Sequence, residues 1–127
     1  KSLITEMSKF DKLITWYGAR FDLPFIRTRA LVNKIDFPTY GTLAHKDMWF
    51  VCRSKAKLSS NRLENACKVL LGKSQKTRID PTHWHGALRG DAKSLAYILD
   101  HNQKDVLDLE KIYYKLEDFG RPSNTSI

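Results

Sequence analysis

The stretch ITWYGARFDLPFIRTRAL, Ile14 to Leu31, passes from an apolar, β-favouring run through Tyr17-Gly18 into an apolar segment that opens with Phe21-Asp22-Leu23-Pro24. A strand that Gly18 ends, then a helix capped by Asp22 or Leu23 with Pro24 in its first turn and its end near Asn33, accounts for the pattern. Asp22 is the one carboxylate in the stretch, wedged between Phe21 and Leu23-Pro24-Phe25. An acid at such a junction is either a helix cap or a ligand for a cation. Spacing alone leaves both readings open.

Leu13 to Trp16 forms the strand just described, and Lys34 to Gly41, with Pro38 and Gly41, reads as a loop. Leu43 to Phe50 is expected to be a second strand with Asp47 inside it. Ser59 and Ser60 open a helix in which Leu63, Ala66, Cys67, Leu70 and Leu71 recur at helical spacing, and Gly72 stops it. Lys73 to Asp80 is a basic loop, and Pro81 starts a short helical turn bearing Trp84. From Asp91 to Phe119 the apolar positions keep a period near 3.6, with room for one break, and Arg121 to Ile127 is a polar tail. The expected fold class is α/β and helix-rich, with residues 1–120 as one domain and 121–127 as a flexible tail. Two strands alone rarely make a stable sheet, so further strands are expected from sequence outside this chain or from a partner chain. The chain opens at Lys1 without an initiator Met, and its first apolar segment has interior character, which fits a piece of a longer protein.

Of the 127 residues, 22 are Lys or Arg and 14 are Asp or Glu, a net charge of +8. The excess is concentrated: Arg53, Lys55, Lys57, Arg62, Lys68, Lys73, Lys76 and Arg78 face Glu64 alone, a local +7. Such a stripe suits a polyanion, or is simply a solvated helix face. Cys52 and Cys67 lack CxxC spacing and sit in apolar surroundings, which reads as two reduced, buried thiols of a cytosol-like compartment. His83-Trp84-His85 does not belong to any four-ligand zinc pattern, and Arg89-Gly90-Asp91 is better explained by a helix-capping Asp than by adhesion. No apolar run approaches the length of a membrane span, and no signal peptide is visible.

A second carboxylate lies on an apolar face. Ile98, Asn102, Asp105, Leu109, Ile112 and Leu116 follow at steps of three or four, which puts Asp105 on the buried stripe or its edge, with His101 one turn earlier. Asp108 and Glu110 are expected on more exposed faces. A half-buried carboxylate is costly unless it is paired or bound to a cation. Lys104, adjacent in the chain, points elsewhere. Either a distant Lys or Arg neutralises Asp105, or Asp22 and Asp105 meet at a divalent cation, for which oxygen ligands select Mg²⁺ or Mn²⁺.

Thr15 to Phe25, with Tyr17-Gly18 and Phe21-Asp22-Leu23-Pro24, resembles the second motif of the DEDD-type, DnaQ-like 3′→5′ exonucleases of the ribonuclease-H-like superfamily. His101-Asn102-Gln103-Lys104-Asp105-Val106 is similar to that family's third motif, Tyr-x-x-x-Asp-Val on the last helix. His45 to Trp49 and Leu58 to Glu64 resemble its middle strand and following helix, and Trp84 through Asp91 is similar to such domains in phage and bacterial proteins.

The resemblance implies a ribonuclease-H-like exonuclease fold lacking its N-terminal strands in this chain, and hydrolysis of phosphodiesters from a 3′ end. It carries over Asp22 and Asp105 as catalytic metal ligands in a two-metal Mg²⁺ or Mn²⁺ site, and His101 in place of the tyrosine that positions water. Tyr17, Arg20, Phe21 and Asn102 become substrate-binding residues. Implied partners are nucleic acid, DNA more than RNA, and a DNA polymerase or a second chain that completes the sheet; the setting is cytoplasmic, bacterial or phage-infected. Three positions depart from the pattern. Tyr17 stands where the family has Asn, where it can stack on a base, and His101 replaces Tyr. The first motif, Asp-x-Glu, is absent upstream of Asp22, and Asp108-Leu109-Glu110 lies on the last helix instead. The chain is therefore expected to cut weakly or not at all. The alternative is a domain of the same fold that binds nucleic acid or a polymerase without cleaving.

Overall fold

Leu13, Ile14 and Thr15 favour extended backbone, and in the computed structural model Lys12–Thr15 is the first strand, β1. The structure describes residues 1–73 and 79–120. A short helix, α1 (Ser2–Met7), precedes β1; α2 (Asp22–Val32) and β2 (Ala44–Asp47) come after it, and α3 (Met48–Lys55) continues directly from β2. Next come α4 (Leu63–Leu71), α5 (Pro81–Leu88), α6 (Ala92–Leu116) and a final 3₁₀ turn, Glu117–Phe119. No helix among the described residues is long and apolar enough to cross a membrane.

The chain divides into two compact units, residues 1–57 with 116–120, and Leu58–Lys115. In the first, β1 and β2 pair in parallel with Lys12 opposite Ala44 and Thr15 opposite Asp47. Parallel neighbours need a crossover, and α2 supplies it. Met7, Leu23 and Leu43 form its core with Leu13, Ile26 and Phe37 packed against them. Pro24 sits in the first turn of α2, where a missing N–H costs nothing.

The helix after Gly18 is where expected, but Asp22 does not cap it. The N-cap is Phe21, without a side-chain hydrogen bond, and Asp22 is the exposed first helical residue. The amide of Leu23 is satisfied by the carbonyl of Gly18 at 2.9 Å instead. The expected strand Leu43–Phe50 is half strand and half helix. Asp47 Oδ1 accepts the Trp49 amide at 3.1 Å, an N-cap that turns the apolar run Met48-Trp49-Phe50-Val51-Cys52 helical. Such a run fits either period, and the cap decides.

In the second unit, α4 buries Leu63, Ala66 and Cys67 and stops at Gly72, whose φ of 74° is left-handed. It opens at Arg62 rather than at the serines; Ser60 instead accepts the Asn65 side-chain amide on its carbonyl at 2.7 Å. Asp80 caps α5 by accepting the Thr82 amide at 2.9 Å, with Pro81 at the first helical position. Asp91 accepts the Ser94 amide at 2.8 Å and opens α6, which runs 25 residues without the allowed break. Gly86 is required between α5 and α6, because a Cβ there would collide with Ser94 Oγ. The polar tail and residues 74–78 of the basic loop lie outside the described residues.

His45 on β2 is buried, and its Nε2 lies 2.8 Å from Thr15 Oγ1 on β1. Burial pushes its pKa below the ordinary 6.5, and Asp47 opposes that shift in part. Because the unfolded chain binds the proton more readily, the stabilisation from neutral His45 is complete above pH 6.5 and is lost as pH falls through the folded value. Urea unfolding from pH 7.5 to pH 5 is expected to show stability declining below about pH 6.5, and His45→Gln is expected to flatten that decline.

Candidate nucleic-acid interface

Beyond Thr15 the chain turns sharply, and Gly18 makes the turn possible: a Cβ there would lie 2.6 Å from Thr15 Cβ. Tyr17 adopts φ 63°, a left-handed conformation that costs a non-glycine residue about 1–2 kcal/mol. The Asp47 carboxylate holds it there. Oδ1 accepts the Tyr17 amide at 2.8 Å and the Trp49 amide at 3.1 Å, while Oδ2 accepts the Ala19 amide at 2.9 Å. Asp47 is buried, and three charge-assisted hydrogen bonds replace the water it gives up.

The turn presents Tyr17 outward. Its ring, 42% exposed, packs on Trp49 at 4.8 Å between centroids and lies 6.4 Å from Phe50; Trp49 and Phe50 meet edge-on at 4.9 Å. The Arg53 guanidinium lies 5.1 Å over the Trp49 ring. Exposed Lys55 and Lys57 lie just beyond Arg53 in the chain. Partly exposed rings beside cations can stack bases and neutralise phosphates. The sequence marks Arg53 as part of the basic stripe, but does not single out Trp49 or Phe50 as site residues. The signal for them is the Asp47 cap, which places the first turn of α3 beside the Tyr17 turn.

Arg20, Phe21 and Asp22 share the same turn, all exposed, with the Arg20 amide bonded to the Tyr17 carbonyl at 3.2 Å. These residues belong to the first unit. His101, Asn102 and Asp105 share α6 in the second unit. His101 is buried and tilts against Tyr97, and its Nδ1 donates to the Tyr97 carbonyl at 2.9 Å, which fixes the proton on that nitrogen. Asn102 is exposed. Asp105 is half-buried, with Oδ1 shielded from solvent.

Asp108 departs from the sequence expectation. Helical spacing puts it on an exposed face, and it is instead 2% exposed, among the most deeply buried side chains. It accepts the Cys67 thiol and lies 4.0 Å from Lys111 Nζ. Burial above all, then the Asp108 carboxylate, pushes the Cys67 thiol up to about 12, so it remains protonated and inert. Both cysteines are free and buried. Of the expected line, Ile112 and Leu116 are buried, whereas earlier in α6 the buried positions are Ser94, His101 and Asp108 in place of Ile98, Asn102 and Leu109.

Among the described residues, no group of three or more His, Cys, Asp or Glu side chains could hold a metal ion. Asp22 belongs to the first unit and Asp105 to the second. In the basic stripe, Arg53, Lys55, Lys57, Arg62, Lys68 and Lys73 are exposed, Lys68 pairs with Glu64 at 2.6 Å, and Lys76 and Arg78 lie outside the described residues.

Asp47→Ala removes the acceptor of three amides, and a loss of about 2–4 kcal/mol of stability is expected, measured by urea denaturation. Asp47→Asn keeps one acceptor oxygen and is expected to fall between the two. Amide exchange at Tyr17 and Ala19 is expected to accelerate in Asp47→Ala well beyond that of the strand amides.

No curated protein matches the chain. The RNase_H_2 family, of the RNase H superfamily, matches residues 1–117. The parallel strand pair, its helical crossover and the abundance of helix agree with that assignment. Membership points to nucleic acid as the partner and to nuclease chemistry as the class of activity. The chain belongs to the RNase H superfamily.

Proposed function

We propose that this domain grips the 3′-terminal nucleotides of a nucleic-acid strand, DNA in preference to RNA, as part of a DEDD-type, DnaQ-like 3′→5′ exonuclease. The observation that carries the reading is the Tyr17 turn: a half-exposed ring, locked by Asp47 and backed by Trp49, Phe50 and Arg53. In this reading Tyr17 stacks on the terminal base, Arg20 takes a phosphate, and Phe21 bears on the neighbouring nucleotide. Asn102 adds a hydrogen bond to the strand. His101 orients the attacking water. Asp22 and Asp105 are the proposed carboxylate ligands of Mg²⁺ or Mn²⁺, which would neutralise charge at the reacting phosphate when bound. The two buried thiols fit a cytoplasmic setting, and a polymerase or a second chain of the same kind is the proposed protein partner.

The exposed rings and cations of the Tyr17 surface, which can hold a strand without a metal, support a second reading. There the domain, residues 1–120, binds nucleic acid or a polymerase without cutting.

The two readings separate in one experiment on the full chain. Anisotropy with a 3′-labelled single-stranded oligonucleotide is expected to show salt-sensitive binding, and Tyr17→Ala is expected to weaken it roughly 5- to 150-fold, the loss of one stacked base. Addition of Mg²⁺ or Mn²⁺ is expected to release mononucleotides from the 3′ end, and Asp22→Ala or Asp105→Ala to abolish release while affinity measured without metal changes less than about twofold. Binding without products supports the second reading. Absence of salt-sensitive binding overturns both.

A further inference from the structure

Within the first unit, a groove between α1 and α2 is lined by Leu3, Ile4, Phe25 and Ile35 together with the cationic Lys1 and Arg29, and has a volume of about 350 Å³. Leu3 is 55% exposed and Phe25 62% exposed, so substantial apolar surface faces water in a concavity. Single exposed apolar residues are ordinary, but a concave cluster of them suggests a binding site. Every charged side chain in the lining is a cation. Asn33 carries the sole side-chain amide there, and its Nδ2 already donates to the Arg29 carbonyl at 2.7 Å. Such a lining offers little to the hydrogen-bonding edge of a base. It does complement a bulky aliphatic or aromatic side chain flanked by carboxylates.

We propose that the α1–α2 groove docks an acidic, amphipathic segment of a partner protein. Its apolar side chains lie against Leu3, Phe25 and Ile35, and its carboxylates turn toward Arg29 and Lys1. The Tyr17 surface is built from other residues, so this proposal and the exonuclease reading succeed or fail separately.

The probe is a fluorescein-labelled peptide that carries a Leu-Phe pair beside three Asp or Glu residues, titrated with the full chain. Saturable binding tighter than ~1 mM is expected. Replacing the acids by Asn and Gln, or the Leu-Phe pair by Ser, is expected to abolish it. Arg29→Glu and Phe25→Ser alter exposed positions, and each is expected to weaken binding roughly fivefold or more. Leu3→Ser serves in place of Phe25→Ser if circular dichroism shows that the latter has lost its fold. Three results overturn the proposal: no saturable binding, binding indifferent to Arg29→Glu and to the apolar variant, or full displacement of the peptide by an oligonucleotide whose own affinity falls with the same variants. The last would make the groove a nucleic-acid site.

Discussion

One buried carboxylate determines where both strands of the sheet end and how the backbone continues beyond each. Asp47 is the last residue of β2, opposite Thr15 in the parallel register. Its two oxygens accept amides from the turn after β1 and from the first turn of α3. The same group therefore stops a strand, starts a helix and holds Tyr17 in a conformation that its side chain disfavours. Met48 and Cys52, fully buried on α3, tie this arrangement to the interior of the unit. Strain in one residue is sustained because three hydrogen bonds, a glycine and a packed helix all require it.

Local signals in the sequence are sufficient for several elements. Leu13-Ile14-Thr15 specifies β1, Pro24 marks the first turn of α2, Gly72 in a left-handed conformation ends α4, and Pro81 opens α5. The departures share one cause: a competing local or tertiary contact. The run from Met48 to Cys52 suits strand or helix, and the Asp47 cap selects helix. Asp22 has the chemistry of a cap, but Gly18 supplies the acceptor to the Leu23 amide, and the acid becomes the exposed first residue of the helix. On α6 the apolar spacing does not show the burial of Asp108, which meets the thiol of Cys67, over forty residues earlier. The helix α1 carries no side-chain cap that would announce it in the sequence.

The site shows the same division. Tyr17 is legible because it stands beside Gly18 at a strand end, where the motif that this stretch resembles has Asn. Its partners Trp49, Phe50 and Arg53 come from a segment thirty and more residues downstream, and only the strand register brings them together. Arg20, Phe21 and Asp22 are neighbours because they share a turn; His101, Asn102 and Asp105 because they share a helix. His101 has the residue type of a water-orienting group, yet its burial and its bond to the Tyr97 carbonyl are not readable from spacing.

Superfamily membership and the Tyr17 surface together support a domain that meets nucleic acid through aromatic rings made rigid by a single acid. Resonance mapping is the most direct check: backbone amides and aromatic side chains monitored while a short single-stranded oligonucleotide is added. The result expected is that the largest perturbations fall on Tyr17, Trp49, Phe50 and Arg53, with the Trp49 indole proton among them. Saturable binding that leaves Tyr17 and Trp49 unmoved would contradict it.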